Sequence, residues 1–384
     1  MRIAIVHDWL DTWGGAESVL AVLLDLYPEA DLFAIVNFLG ESDRARLGGR
    51  KVRTSFIQHL PFARRHFRKY LPWMPRAVER FDFSAYDLVI SSSHAAAKGA
   101  MTGTNQLHIC LCYSPARYAW EFEQQYLDDA GLDRWPLAAI ARRTLRRFRE
   151  WDLRAAKRVD RFVAISNFIA RRIERCYGRT AEVIYPPVDV DRYAVAAAER
   201  DSFYLTLSRL VPYKRVDLLV AAFAGMPGRR LIVAGDGPDM QALADAAPAN
   251  VRLVGRVTDA ERDRLLATAR AFVFAAEEDF GIAPLEAQAC GTPVIAFCRG
   301  GVAETVRGLD ADAPTGVFFD EQTSAAIRDA IVAFERSSDR ITAAACRANA
   351  QRFDVAAFRQ RFGDFVASAF DEFRAAREQG STSC

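Results

Sequence analysis

Short apolar runs alternate along the chain with longer segments whose apolar residues recur at helical spacing. Ile3–His7 is typical of a buried strand, and Ala16–Leu26, which follows a Gly-Gly pair, is typical of an amphipathic helix. Further strands are predicted in the first half at Leu32–Val36, Leu88–Ser92, His108–Cys112, Arg161–Ile165 and Glu182–Ile184. Such alternation predicts a parallel sheet with helices on both faces.

Two consecutive prolines in Tyr185–Asp189 interrupt this pattern and indicate a stiff connector between domains. The alternation then restarts, with helices predicted at Val216–Ala224 and Ala260–Ala269. The strands predicted there are Phe203–Leu207, Arg230–Ala234, Val251–Val254, Ala271–Phe274 and Pro293–Ala296. We therefore predict an α/β protein with two doubly wound, Rossmann-like domains at residues 1–185 and 188–354, followed by a Phe-rich helix.

The composition fits a folded protein of this size. The chain has 384 residues, of which 51% are hydrophobic and 26% are charged, and a domain commonly has about 100–200 residues. No apolar run approaches the ~18 residues of a membrane-spanning helix, and no secretory signal precedes the first strand. We therefore expect a cytoplasmic protein whose seven scattered cysteines stay reduced and form no zinc site.

The segment Glu278–Pro293 carries the strongest chemical signal. It follows a predicted strand, and Pro284 and Gly291 suit the first turn and the end of a short helix. Free N–H groups at the start of such a helix can bind an anion. The carboxylates of Glu278 and Glu286 can accept hydrogen bonds from sugar hydroxyls.

This segment resembles the glutamate–seven–glutamate motif of retaining glycosyltransferase family 4, whose members have the GT-B fold. The resemblance implies that Glu278 contacts the donor sugar and phosphate region and that Glu286 holds the ribose. It also implies that backbone N–H groups around Phe280, Gly281 and Ile282 bind sugar hydroxyls or phosphate.

The resemblance covers essentially the entire chain and implies the roles of the domains. Residues 1–185 are expected to bind the acceptor and residues 188–354 the nucleotide sugar, with the two domains facing each other across a deep cleft. The C-terminal helix, residues 355–378, is expected to pack back on the first domain.

The segment Ser208–Asp217 follows the first predicted strand of the second domain. Arg209 can bind phosphate bidentately, and Lys214 adds a point charge beside it. Two cations stabilise the charge that develops on a departing nucleoside diphosphate. We therefore predict that Arg209 and Lys214 act in catalysis together with Glu278, and that Ser208 belongs to the donor site.

Glycine-rich turns follow several predicted strands, where glycine lets a ligand approach the backbone closely. Gly14 and Gly15 follow the first strand without the spacing of the dinucleotide-binding fingerprint. Family members carry a glycine-rich loop at this position, against the donor diphosphate. Turns of the second domain that resemble those of the family add the donor-site candidates Gly235, Gly237, Gly255, Arg256 and Val257.

Two loops of the first domain carry further candidates. His94 follows a predicted strand, and the resemblance places it near the donor sugar, so we count it as catalytic. Lys98, in the same loop, is a weaker candidate, and a structural role is favoured for it. The next loop supplies the acceptor candidates Tyr113, Arg117, Tyr118 and Trp120. Many relatives have His where Tyr113 stands, which argues against a base at that position, and a packed aromatic loop is the alternative.

The net charge of +2 conceals two basic segments with aromatic residues, Arg64–Lys69 and Arg142–Arg149. Basic residues beside apolar ones suit contact with an anionic membrane, and family enzymes often glycosylate lipid-linked acceptors. A solvated helix face is the alternative. No recognition motif for nucleic acid accompanies the charge, so no nucleic-acid partner is expected.

The resemblance implies a retaining hexosyltransferase of bacterial surface polysaccharide synthesis, acting on a saccharide or polyprenol-diphosphate-linked acceptor. Thr54–Gln58 and Tyr113–Trp120 resemble a subgroup often assigned mannosyl transfer, which favours GDP-mannose or a related GDP-sugar over a UDP-sugar. We expect no cofactor and no metal, because no acidic pair at a strand end resembles a Mg²⁺ site, with Asp236 as the one open candidate. A nucleotide-sugar epimerase and a non-catalytic sugar-nucleotide-binding scaffold are the alternatives from other classes.

Overall fold

The computed structural model describes residues 1–121, 123, 124, 127, 136–195 and 200–381. The chain forms two compact units. The first comprises Met1–Tyr185 and Phe358–Cys384, and the second comprises Pro186–Ala357. Each unit contains a parallel sheet flanked by helices, which confirms the predicted α/β class with two Rossmann-like domains.

The strands of the first unit are β1 (Ile3–His7), β2 (Asp31–Ala34), β3 (Val52–Thr54), β4 (Leu88–Ser93), β5 (Leu107–Cys112), β6 (Arg161–Ala164) and β7 (Glu182–Val183). They pair in parallel in the order β3-β2-β1-β4-β5-β6-β7. The helices are α1 (Gly15–Leu26), α2 (Glu41–Ala45), α3 (Ala63–His66), α4 (Met74–Val78), α5 (Arg117–Trp120), α6 (Leu137–Arg158) and α7 (Asn167–Tyr177). Short 3-10 turns lie at Phe56–His59, Phe67–Trp73 and Ala97–Gly99.

The strands of the second unit are β8 (Phe203–Leu207), β9 (Arg230–Ala234), β10 (Val251–Gly255), β11 (Ala271–Phe274), β12 (Val294–Phe297) and β13 (Gly316–Phe319). They pair in parallel in the order β10-β9-β8-β11-β12-β13. The helices are α8 (Val216–Ala224), α9 (Met240–Ala246), α10 (Asp259–Thr268), α11 (Ile282–Ala289), α12 (Val302–Thr305), α13 (Ser324–Arg336) and α14 (Ala343–Gln351). Short 3-10 turns lie at Val190–Arg192, Pro212–Lys214 and Ser338–Arg340. The last helix, α15 (Val355–Ser381), begins in this unit and continues in the first.

The central strands of the first sheet are buried along their whole length. Every residue of β4 and β5 is buried, as expected for a parallel sheet with helices on both faces. On one face, Leu145 and Phe148 of α6 share an apolar cluster with Phe67 and Leu71. The basic segments predicted from the sequence therefore carry core residues as well as charges.

The order of the strands reverses near the centre of each sheet. β1 lies between β2 and β4, and β8 lies between β9 and β11. The loops that leave β1 and β4, or β8 and β11, therefore run in opposite directions, which opens a crevice at the carboxyl ends of these strands. Such a switch point is where an open α/β sheet commonly binds its ligand.

Two strands were not predicted, and both lie at the edge of a sheet. β3 has only three residues, with an exposed Arg53 between two half-buried neighbours, and β13 begins at Gly316. Within the part of the chain that the structure describes, no helix combines the length and apolar character needed to cross a membrane.

Candidate active site

At the switch point of the second unit, the loop after β8 meets the loop after β11. Lys214 donates a hydrogen bond to Oε1 of Glu278, and the two side chains form an ion pair. They are 14% and 20% exposed, so both are accessible to a ligand. The rings of Tyr213 and Phe274 lie 5.5 and 5.8 Å from the Lys214 Nζ atom and form one wall around it.

The remaining cation predicted for this site lies at the same edge of the sheet. Ser208 directly follows β8 and is half-buried, whereas Arg209 is exposed. Exposure leaves the guanidinium of Arg209 available for bidentate contact with a phosphate. The loop therefore presents Arg209 and Lys214 from one strand end, as the sequence predicts.

Helix α11 begins beside this pair. Gly281 precedes its first residue, Ile282, and has a φ of 90°, a conformation that glycine adopts without strain. The first N–H groups of a helix have no partner within the helix and carry partial positive charge. Phe280, Gly281 and Ile282 thus lie where the sequence predicts an anion-binding backbone.

Glu286 is held in place by a buried tyrosine. Its Oε1 accepts a hydrogen bond of 2.7 Å from the hydroxyl of Tyr193. Burial raises the pKa of Tyr193, and the neighbouring Glu286 carboxylate raises it further, so the hydroxyl stays protonated and donates. Tyr193 was not predicted from the sequence, because it lies 93 residues from its partner and carries no local motif.

A second glycine pair, also absent from the prediction, supports Glu278. The Gly301 N–H donates a 2.7 Å hydrogen bond to the Glu278 carbonyl. A Cβ on Gly300 would lie 2.2 Å from that carbonyl oxygen, and a Cβ on Gly301 would lie 2.4 Å from Phe280 Cα. Only glycine lets the two loops pack this closely. The signal in the sequence is a Gly-Gly pair soon after a strand.

The predicted glycines of the neighbouring loops have a clear packing role. A Cβ on Gly235 would lie 1.8 Å from the Ser208 carbonyl oxygen, and one on Gly237 would lie 2.1 Å from that of Leu210. Gly255 has a φ of 70° but open space around it. Arg256, which is exposed, and Val257, which is half-buried, follow at the same edge.

At the switch point of the first unit, a buried carboxylate holds the loop after β4. Asp8 is fully buried and accepts hydrogen bonds of 2.6–2.8 Å from four consecutive backbone N–H groups, those of residues 94–97. Burial opposes the ionisation of Asp8, but His94, Lys98, His7 and the backbone N–H groups outweigh it and lower its pKa. Sequence reasoning missed Asp8, although an acidic residue directly after a buried parallel strand is a usable signal.

His94 lies on this loop with 30% of its side chain exposed. Its Nδ1 atom is 3.2 Å from Oδ2 of Asp8, and its ring packs edge-on against Trp9 at 4.6 Å. Burial lowers the pKa of His94 more than the Asp8 carboxylate raises it, which favours the neutral imidazole. The structure therefore presents a neutral, oriented histidine at the switch point.

A buried polar chain lies beneath His94 and includes Tyr113. The Ser92 Oγ atom is 3.0 Å from His7 Nδ1 and 2.9 Å from the Tyr113 hydroxyl. His7 also lies 3.5 Å from Glu17, in the first turn of α1. Burial raises the pKa of Tyr113, so its hydroxyl stays protonated. The predicted glycines Gly14 and Gly15 are exposed at the start of α1.

Lys98 and Trp120 both contact the buried carboxylate of Asp152. Lys98 is fully buried and lies 2.7 Å from Asp152, which also accepts hydrogen bonds from Trp120 Nε1 and the Tyr177 hydroxyl. The ammonium group of Lys98 is thus enclosed by the protein, which agrees with the structural role that the sequence favours for it. Tyr118 packs on Phe148 at 5.6 Å.

These contacts favour the packed-loop interpretation for Tyr118 and Trp120. Arg117 is half-buried at the start of α5. Its role toward an acceptor stays a prediction, as does that of Tyr113.

Two family models match most of the chain. The model for glycosyl transferases group 1 matches residues 188–353, and the model for glycosyltransferase family 4 matches residues 13–192. A GDP-mannose-dependent monoacylated alpha-(1-6)-phosphatidylinositol monomannoside mannosyltransferase of Corynebacterium glutamicum is 33% identical over 45% of this chain and 51% of its own length. A D-inositol 3-phosphate glycosyltransferase of Mycobacteroides abscessus is 34% identical over 41% of this chain and 38% of its own. The chain thus spans about half the length of the first relative and 38% of the second.

Solved structures share the fold of nearly the entire chain. HepE of Anabaena, in complex with UDP and glucose, has a TM-score of 0.71 at 19% identity and covers 96% of this chain and 100% of its own. A sucrose-phosphate synthase of Thermosynechococcus elongatus has a TM-score of 0.72 at 17% identity and covers 97% of this chain and 100% of its own. With two parallel-sheet units, two matching family models and these structural neighbours, the chain belongs to glycosyltransferase family 4 and has the GT-B fold.

Proposed function

We propose that the chain is a retaining glycosyltransferase that transfers a hexose, best assigned as mannose or a related sugar from a GDP-sugar. The observation that carries the proposal is the Lys214–Glu278 pair at a switch point, beside the first turn of α11. This arrangement offers cationic and N–H donors for a diphosphate next to a carboxylate for a sugar hydroxyl. The most reasonable occupant is a nucleoside diphosphate sugar.

Each group has a role in this proposal. Arg209 and Lys214 bind the diphosphate. On binding, the phosphate oxygens replace Glu278 as the ion-pair partner of Lys214. Glu278 then accepts a hydrogen bond from the sugar, while Glu286, fixed by Tyr193, accepts one from the ribose. The two cationic side chains and the first N–H groups of α11 stabilise the charge on the departing phosphate. We assign no metal to the site.

In the retaining step, the acceptor and the donor supply all the reacting atoms. The acceptor hydroxyl oxygen bonds to the anomeric carbon on the face that the diphosphate leaves. The bond from that carbon to the phosphate oxygen breaks, and the hydroxyl proton passes to the phosphate. No other reactant is required.

The assignment of the donor rests on the relatives. The Corynebacterium relative is named as GDP-mannose-dependent, as is a Mycobacterium tuberculosis relative, 30% identical over 54% of this chain. A UDP-sugar is the alternative, because backbone groups near Gly255 leave few side chains to select the base. We assign the acceptor as a lipid-linked, including polyprenol-diphosphate-linked, or free saccharide of bacterial surface polysaccharide synthesis.

A lipid-linked acceptor is supported by apolar side chains exposed beside the basic segments. Phe62 is 79% exposed and Trp73 is 51% exposed, on either side of Arg64–Lys69. Leu137 and Ile140 are 50% and 61% exposed at the start of the helix that carries Arg142–Arg149. Basic residues with exposed aromatic and aliphatic neighbours suit the headgroup region of an anionic membrane. We therefore place the protein in the cytoplasm, in peripheral contact with the membrane.

The basic segment also contacts the loop that precedes α1. Arg68 forms a 2.8 Å ion pair with Asp11, and its guanidinium lies 5.8 Å from the ring of Trp9. Because Trp9 packs against His94, a phosphate bound at Arg68 would lie near the switch point of this unit.

A thermal-shift panel of GDP, UDP, ADP and their common sugars tests the donor, with and without EDTA. A ligand that binds only the folded state raises the melting temperature. We expect the largest shift with GDP-mannose, unaffected by EDTA and lost in Arg209→Ala. Arg230→Ala, which removes an exposed arginine at the opposite end of β9, is the matched control.

The panel and an assay of donor turnover together separate the alternatives. A larger shift with a UDP-sugar replaces the donor but keeps the mechanism. Donor consumption without acceptor and without free nucleoside diphosphate indicates an epimerase. Tight binding without turnover toward any acceptor indicates a non-catalytic scaffold.

Sedimentation with phosphatidylglycerol-rich and neutral vesicles tests the membrane contact. We expect binding to the anionic vesicles, weakened by added salt and by Phe62→Ser with Trp73→Ser. Replacing Arg252 and Arg336 with Glu lowers the net charge elsewhere and is the control for charge alone. Equal binding to both kinds of vesicle contradicts the proposal.

A further inference from the structure

The loop after β1 contains a buried carboxylate, Asp8, to which the proposed function assigns no role. Asp8 is fully buried, and its two oxygens receive four backbone N–H groups. The same Oδ2 atom lies 3.2 Å from Nδ1 of His94. A single side chain therefore holds the backbone of the loop and lies against the ring that the loop carries.

A carboxylate at this distance favours a proton on the nitrogen of His94 that faces it. An ionised carboxylate can only accept hydrogen bonds, so an unprotonated Nδ1 would set two lone pairs against each other. The charged and titratable groups that face His94 are Asp8, His7, Glu17 and Lys98, and burial keeps the ring neutral despite the carboxylates. A neutral ring with its proton on Nδ1 has a lone pair on Nε2.

Other contacts keep the ring in this orientation. Trp9 packs edge-on at 4.6 Å, and the rings of His7 and Tyr113 lie 6.4 Å away. His94 remains 30% exposed, whereas Asp8 is inaccessible. Any direct contact with a substrate must therefore come from His94.

We propose that Asp8 is a positioning residue that holds the proton of His94 on Nδ1, so that Nε2 accepts a hydrogen bond from a sugar hydroxyl. This inference rests on the proposed function for the identity of the ligand. The state of the His94 ring, however, can be measured without any substrate.

The first measurement is a two-bond ¹H–¹⁵N correlation spectrum of the wild-type protein at neutral pH, which distinguishes the tautomers. The chain has five histidines, and the His94 signals are assigned as those missing in His94→Gln. We expect the Nδ1–H tautomer. An Nε2–H tautomer or a cationic ring overturns the inference, even if Asp8→Asn does not fold.

Asp8→Asn tests the cause of the tautomer. In either orientation the amide lacks the negative charge that favours a proton on Nδ1, so we expect a larger share of the Nε2–H tautomer. Asp11→Asn alters the same loop but removes only the ion pair with Arg68, and it should leave the tautomer unchanged. An unchanged tautomer in Asp8→Asn contradicts the inference.

Kinetics then test whether Asp8 acts through His94. We expect kcat to fall about tenfold in Asp8→Asn, as for one lost hydrogen bond, with little further loss when this change is added to His94→Ala. His94→Gln, which can present an oxygen near the position of Nε2, should retain more activity than His94→Asn. Additive losses or the reverse order contradict the inference, whereas inactivity of the wild type toward every donor contradicts only the proposed function.

Discussion

In each unit a carboxylate meets a titratable or basic side chain at the switch point of the sheet, but the two pairs have different surroundings. In the first unit, Asp8 follows β1, is fully buried, accepts hydrogen bonds from four backbone N–H groups and lies 3.2 Å from Nδ1 of His94. In the second unit, Lys214 follows β8, is 14% exposed and pairs with a 20% exposed Glu278. The buried, hydrogen-bonded Asp8 serves as a rigid support, whereas Lys214 and Glu278 are accessible and can exchange each other for groups of a ligand.

The same contrast holds for the two lysines that follow these switch points. Lys98 is 0% exposed and pairs with Asp152, also 0% exposed. Removing one member of a buried pair leaves an uncompensated charge, whereas a pair in contact with water contributes little to stability. One substitution applied to both lysines therefore separates stability from activity.

The largest effect on stability is expected for Lys98→Met. It leaves the Asp152 carboxylate buried without its cation, which costs about 3–5 kcal/mol. Urea unfolding measures the loss, and the fraction that remains folded should keep the wild-type KM for the donor. A loss below about 1 kcal/mol, typical of a surface pair, would mean that water reaches Asp152.

The largest effect on activity is expected for Lys214→Met. Loss of one charge-stabilising donor lowers kcat by about 10²–10³-fold, while stability changes by about 1 kcal/mol or less. Steady-state kinetics with GDP-mannose and urea unfolding measure the two quantities. Lys214→Arg keeps the charge and should lose less. Near-normal kcat in Lys214→Met would remove this residue from the active site.

The sequence predicts elements and motifs better than contacts between distant loops. The bounds of β1, β8, β9 and β11 were predicted as observed, because each is a compact apolar run between polar turns. β3 was missed because three residues at an edge give no clear alternation. Within the site, Lys214 and Glu278 were predicted because both lie in motifs that follow strands.

The supporting residues were not predicted, for a physical reason. Asp8 acts on residues 86–89 positions away, Tyr193 on Glu286, and Gly301 on Glu278. Each contact depends on the order and register of the strands, which a local pattern does not specify. The same limit applies to Lys98, whose buried partner Asp152 lies on a distant helix.

An intermediate effect is expected from two glycines of the second unit that the sequence assigns the same role. Gly235→Ala would bring a Cβ to 1.8 Å from the Ser208 carbonyl oxygen, whereas Gly255→Ala meets nothing within 4 Å. At Gly255 only the left-handed conformation is penalised, by about 1–2 kcal/mol, and Gly235→Ala should cost clearly more. Thermal unfolding measures both, and equal losses would mean that the loops after β8 and β9 separate easily.

The smallest effect concerns the strained residue in each unit. Phe62 in the first and Arg215 in the second have φ values of 56° and 54°, the non-glycine residues with positive φ in the described ranges. Glycine at either position removes a strain of about 1–2 kcal/mol but adds chain entropy of about 0.5–1 kcal/mol. We therefore expect each variant to gain about 1 kcal/mol or less, as a small rise in melting temperature.

The two strained positions should differ in a second measurement. Phe62 is 79% exposed beside the basic segment Arg64–Lys69, whereas Arg215 pairs with Asp217 at 3.2 Å at the start of α8. Phe62→Gly should therefore weaken sedimentation with anionic vesicles while it stabilises the fold, and Arg215→Gly should leave vesicle binding unchanged. If Phe62→Gly is stabilised but binds vesicles as well as the wild type does, the membrane role of this side chain is contradicted. Its removal would then relieve the backbone strain without any loss of membrane binding.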